Sequence, residues 1–280
     1  GGCLIRSPHT KPMMTQRVRL CFALFMLAQA AAVVAAPPPD EPVIRFLDKE
    51  ASAKAIVAEK IEPYFSLLPA LDMAAKTGSP LPGDTLAEQR EACRRRYAEL
   101  TLDFTKEEQT LLRACIERVY PILKEHYPLA ARVPWSLIKK SDQLEAGAHF
   151  TREDHIVLSE RFLKAMVRDS KDLKIDDLVG AVMPLLLHEQ AHVLQRLHPK
   201  LFAKLYADLW EMEHVKTIET NDWLDARLLV NPDAVDVNWI ARVKDEDSGA
   251  TRLLWPRILL RKTQWPVAMF RDAEMVVLDL

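Results

Sequence analysis

Leu185-Leu186-Leu187-His188-Glu189-Gln190-Ala191-His192-Val193-Leu194 is the stretch on which the rest of the chain turns. Its apolar residues recur with helical spacing from Asp176 to Leu197, which predicts one long helix. Pro184 should kink that helix one turn before His188, and Pro199 should end it. Residues four apart on a helix lie about 40° apart around the axis and about 6 Å along it, so both imidazoles can reach one cation. Glu189 points to the adjacent side. Zinc lowers the pKa of its water towards about 7, so Glu189 is placed to take the water's proton as it attacks a peptide carbonyl and to pass it to the leaving amine. With 8 His in 280 residues, the five-residue pattern arises by chance in roughly one or two chains per hundred, so its surroundings must carry the reading. A glutamate inside an apolar helical run is costly to bury unpaired, and two packed core histidines do not explain it.

Working outward, the order of elements is helices, then short strands, then helices, then extended chain. Residues 46–76 have helical periodicity broken at Pro63 and Pro69, and Thr77 to Gly83 is a loop. A helix follows from Asp84 to about Glu99, with Arg94, Arg95 and Arg96 on a solvated face beside acidic residues. Thr105 with Glu108 three places on is a capping box that opens the next helix, through Glu125 and past Pro121. Trp135–Lys139 and Ala146–Phe150 read as short strands, and the alternating, β-branched His155–Ser159 as a third. Helices are expected over 160–167 and from Lys200 to His214. Asp245 to Gly249 suits the turn of a hairpin between Trp239–Lys244 and Thr251–Leu260. The fold class is therefore α+β, helix-rich with a small mixed sheet. Glycine is scarce (7) and proline plentiful (18), against an all-β sandwich, and the net charge of −2 with a pI near 6.5 gives no basic field for nucleic acid.

The N-terminus reads as a leader. From Met13 or Met14, Arg17 and Arg19 precede an apolar run from Leu20 to Ala36 that ends in small residues, the pattern of a signal peptide cut before Pro37. Residues 1–36 are then upstream sequence and leader, 37–45 a proline-rich tether, 46–133 a helical N-terminal region and 134–280 the catalytic region. The mature chain is expected in the periplasm or outside the cell, with no stable membrane anchor. Its two cysteines, Cys93 and Cys115, are permitted to pair in an oxidising compartment, or else are separately buried thiols.

At His188-Glu189-x-x-His192 the sequence resembles the zincin metallopeptidases. Residues Pro134 to Leu260, through Arg196, His198-Pro199, Leu205-Tyr206 and Asn231-Pro-Asp-Ala234, are also similar to a group of poorly characterised exported bacterial metallopeptidases. The resemblance implies a zincin-like fold, one Zn²⁺ per chain on His188 and His192, Glu189 as general base and a peptide or protein substrate. It also implies that His155–Ser159 is the edge strand that pairs with an extended substrate. The third ligand is open. His198 has metzincin spacing, but Gln195 stands where that pattern has the glycine that turns the chain out of the helix. Glu211, Glu213 and Glu219 are candidates from a following helix, Glu213 best placed by distance. A ligand beyond Leu280 is favoured, because the sequence stops in mid-pattern. The alternative class is a non-catalytic exported helical protein whose His188–His192 region holds a structural zinc or merely packs.

Overall fold

The computed structural model describes residues 37–234, 236–244 and 249–280. The leader expected over 1–36 lies outside the described residues, as does most of the turn expected at 245–249. The architecture is mixed α and β.

The first sheet is built on β3 (Trp135–Lys140), which is buried along its whole length. It pairs in parallel with β1 (Ile44–Phe46) and with β5 (His155–Ser159), while β2 (Thr101–Leu102) pairs with it antiparallel and β4 (Phe150–Arg152) closes the sheet antiparallel to β5. Alternation along β3 and β5 feeds two cores. Trp135, Leu137, Ile156 and Leu158 face α4 (Lys106–His126) and α7 (Ile175–Leu197), with α6 (Glu160–Asp169) alongside. Ile138 and Val157 face the opposite core, with Ile56 of α1 (Lys49–Ile56), Met73 of α2 (Ala70–Thr77), and Cys93 and Tyr97 of α3 (Leu86–Glu99). A strand covered on both faces needs partners for its lysines. Lys139 donates to both oxygens of Glu108 at 2.9 Å, and Lys140 donates to the Leu144 carbonyl at 2.6 Å.

The short helical turn α5 (Pro128–Ala131) leads into β3, and after α7 come α8 (Pro199–Trp210) and an antiparallel meander of β6 (Met212–His214), β7 (Trp239–Lys244), β8 (Thr251–Leu260) and β9 (Ala273–Asp279). Two further single turns, α9 (Asp222–Asp225) and α10 (Met269–Asp272), complete the helices. The two hairpin strands have the bounds expected of them, Trp239–Lys244 and Thr251–Leu260.

Two expectations need correcting, and one open alternative, for the cysteines, is decided. Leu144–Gly147 is a tight turn, with Glu145 and Ala146 at positive φ (50° and 49°), and the strand starts only at Phe150. That conformation is held because the Glu145 carboxylate is fixed inside the protein by Lys76 at 3.0 and 3.1 Å and by the Tyr64 hydroxyl at 2.8 Å. The helix expected to reach His214 ends at Trp210, where Glu211 turns left-handed (φ 53°) and Met212–His214 pairs with Trp239–Ala241. Cys93 and Cys115 are both free and buried, one in each of the two cores. No described helix is long and apolar enough to cross a membrane.

Candidate metal centre

α7 owes its orientation to one buried stripe, Leu178, Val182, Leu186 and Val193, packed on the sheet and α4. Gln190 adds a polar pin, donating to the carbonyls of Val133 (3.0 Å) and Pro134 (3.4 Å) at the entry to β3. With that face fixed, His188 and His192 fall at its margin, His188 exposed and His192 half-buried. Their Nε2 atoms stand 3.2 Å apart, with the rings 4.7 Å between centroids and nearly perpendicular at 86°. Tetrahedral zinc with Zn–N bonds of 2.0–2.1 Å separates two ligand nitrogens by about 3.3 Å. The observed separation of 3.2 Å is close to that value.

Electrostatics favour neutral imidazole at His188. Partial desolvation of the ring by the protein around it, and then the neighbouring His192, hold it below the ordinary histidine value, with the Asp233 carboxylate opposing. Glu189 is 3% exposed, and its Oε2 is buried without a hydrogen-bond partner. Burial first and the Asp233 charge second push its carboxyl up to about 9, against the pull of Arg196.

The sequence-level ligand candidates are spread out. His198 caps the end of α7, its amide donating to Leu194 O at 3.0 Å. Glu211 is the residue that terminates α8, Glu213 lies on β6 and accepts from Arg242 at 2.6 Å, and Glu219 is exposed in the loop beyond. None stands on a following helix. Among the described residues no group of three or more His, Cys, Asp or Glu side chains could hold a metal ion.

The strand that borders the site is also different. β5 is an inner strand, between β3 and β4, and the edge is β4. The parallel β3–β5 pairing takes up the side of β5 that an extended peptide would need. On β4, the outward amide of Thr151 donates to Asp233 Oδ1 at 2.6 Å, and the Thr151 hydroxyl donates to the same oxygen at 2.9 Å. Arg196, one turn beyond His192, clamps this arrangement. Its Nε donates to Glu62 Oε1 at 2.5 Å, and its terminal nitrogens donate to Thr151 Oγ1 and the Pro232 carbonyl.

Asp233 is the site residue that sequence reasoning missed. It belongs to Asn231-Pro-Asp, whose turn is closed by the Asp233 amide donating to Asn231 Oδ1 at 3.1 Å, and that turn signal is all the sequence shows of it. Gln195 and Tyr206 were also given no role. His192 Nδ1 is 2.7 Å from Gln195 Oε1, and Gln195 Nε2 donates to the Tyr206 hydroxyl at 2.9 Å. Trp255 is hairpin core, while Trp210 and Trp239 pack on Tyr206. No protein-family model, no curated protein and no solved structure matches this chain.

Proposed function

We propose that the protein is an exported zinc-dependent peptidase of zincin-like architecture. The observation that carries this reading is the pair of imidazole nitrogens 3.2 Å apart beside a buried carboxylate with an orphaned oxygen. His188 and His192 would hold the ion through Nε2. Zinc bound there supplies a Lewis acid and lowers the pKa of its water towards about 7. The charge of a cation held there would oppose the burial that keeps the Glu189 carboxyl protonated, and the ionised Glu189 would then take the proton of the attacking water and give it to the leaving amide nitrogen. An extended peptide entering along β4 would take the outward amide of Thr151 in place of Asp233, which fixes substrate direction by backbone pairing. Export rests on the leader reading of Leu20 to Ala36.

A second reading has one observation in its favour. The same 3.2 Å is also the length of an imidazole–imidazole hydrogen bond, as a packed, non-catalytic histidine pair would make. Metal analysis of the mature full-length gene product separates the two. About one zinc per chain is expected, lost in His188→Ala and in His192→Ala, and kept in Glu189→Gln. Peptide hydrolysis by Glu189→Gln should fall by about 10²–10⁴-fold or more. Zinc content unchanged in both histidine variants, or undiminished turnover with glutamine at 189, sinks the assignment.

A further inference from the structure

Gln195 lies three residues beyond His192 on the same helix face, and its side chain meets the imidazole on the side away from His188. His192 Nδ1 is 2.7 Å from Gln195 Oε1, so Nδ1 carries the proton and the Nε2 lone pair faces His188. An amide is ambivalent in this position. Turned over, it would donate to Nδ1 and leave the proton on Nε2, where no cation could bind. Gln195 is held in turn by Tyr206, whose hydroxyl accepts from Gln195 Nε2 at 2.9 Å. The Tyr206 ring cannot swing away. It stacks on Trp210 at 5.2 Å and 17°, and Trp239 packs edge-on against it at 5.0 Å. Burial pushes the phenol up to about 12, so it stays protonated and neutral across the working range.

Resting on the zinc reading above, we infer that Gln195 is a positioning residue for His192, and that Tyr206 fixes Gln195. The pair orients the ring and presents its Nε2 to the metal. Outer partners of this kind change metal affinity by about 10–100-fold.

The test is the zinc dissociation constant of the full-length gene product, measured by competition with a chromophoric chelator. Gln195→Met keeps the length of the side chain and removes both hydrogen bonds, and should raise the dissociation constant about 10–100-fold. Gln195→Glu accepts from Nδ1–H in either orientation, and should bind at least as tightly as the parent. Tyr206→Phe should weaken binding severalfold in the parent and by less than about twofold in the Gln195→Glu background, where the direction of the hydrogen bond no longer depends on Tyr206. A purely structural Tyr206 would cost the same in both backgrounds, and that result overturns its part. If the parent binds zinc and Gln195→Met binds it equally tightly, this inference fails alone. If the parent binds no zinc, it falls together with the metal reading.

Discussion

Asp72→Asn should make the protein's stability less sensitive to alkali. Lys76, Asp72 and Glu145 are buried together, one ammonium between two carboxylates. Glu145 takes the two short contacts, at 3.0 and 3.1 Å, while Asp72 Oδ1 is 3.7 Å from the Lys76 nitrogen and has no hydrogen bond. The site therefore retains a proton, and it rests on Asp72, whose pKa burial raises from 3.8 to about 7 against the attraction of Lys76. A carboxyl raised in the folded state contributes stability that is fully present below its unfolded value and is lost as pH climbs through the folded one. At about 1.4 kcal/mol per unit, the whole swing is about 4 kcal/mol, of which about 3 kcal/mol falls between pH 5 and pH 8. The variant keeps the amide bond from Val230, 3.0 Å in the parent, through its side-chain oxygen. Denaturant titrations of the metal-free protein at both pH values give the test. The variant should gain about 3 kcal/mol on the parent from pH 5 to pH 8, whatever its constant offset. An offset that is equal at the two pH values would refute the protonated-Asp72 reasoning. The cluster also bears on the site, since Val230 leads directly into Asn231-Pro-Asp233.

Non-reducing and reducing masses of the mature chain should be identical, because Cys93 and Cys115 are free thiols in separate cores; a two-proton difference would show otherwise. Burial raises the Cys93 thiol beyond the usual range and Cys115 to about 11, so alkylation at pH 8 should require denaturant, as quantitative thiol labelling would report. Thr105→Ala removes the cap whose hydroxyl accepts from the Glu108 amide at 3.1 Å, and should cost about 1 kcal/mol by denaturant unfolding. An unchanged midpoint would show that α4 does not depend on its capping box.

What the sequence disclosed was whatever is decided locally. The cap at Thr105, the period of α7, the alternation of β5 and the hairpin strands each follow from residues within a few places of one another. β1 and β2 were invisible because three and two residues respectively become strands only by pairing with β3. The left-handed turn at Glu145 depends on Lys76 and Tyr64, far away in the chain, and the end of α8 on a pairing with β7. The site divides along the same line. His188 and His192 are an i, i+4 pair on one helix and were legible. Asp233 and Tyr206 reach the site through tertiary contacts, and Gln195 shows its use only once Tyr206 is beside it.

One comparison bears on whether Glu189 is structural. Among the described residues six carboxylates are buried: Asp72, Glu108, Glu145, Glu153, Glu189 and Asp272. Glu108 and Glu145 pair with Lys139 and Lys76. Glu153 accepts from the amides of Lys60 and Ile61. Asp272 accepts from the Ala268 amide and pairs with Lys262, and Asp72 accepts from Val230 near Lys76. On α7 itself, the other buried polar side chains have partners, Gln190 donating to the Val133 carbonyl ahead of β3 and Arg196 to Thr151 of β4 and the Pro232 carbonyl. Asp72 and Glu189 each have an orphaned oxygen, but Asp72 accepts from an amide through its other oxygen and lies 3.7 Å from the Lys76 ammonium, whereas Glu189 has neither an amide nor a cation in contact. A buried carboxylate without a partner costs several kcal/mol, and a purely structural position accepts apolar residues at no such cost. The protein supplies at least one partner for each of its other buried acids in the described residues and none for Glu189, which directly follows His188 in the chain, so a partner for it would have to come from outside the chain.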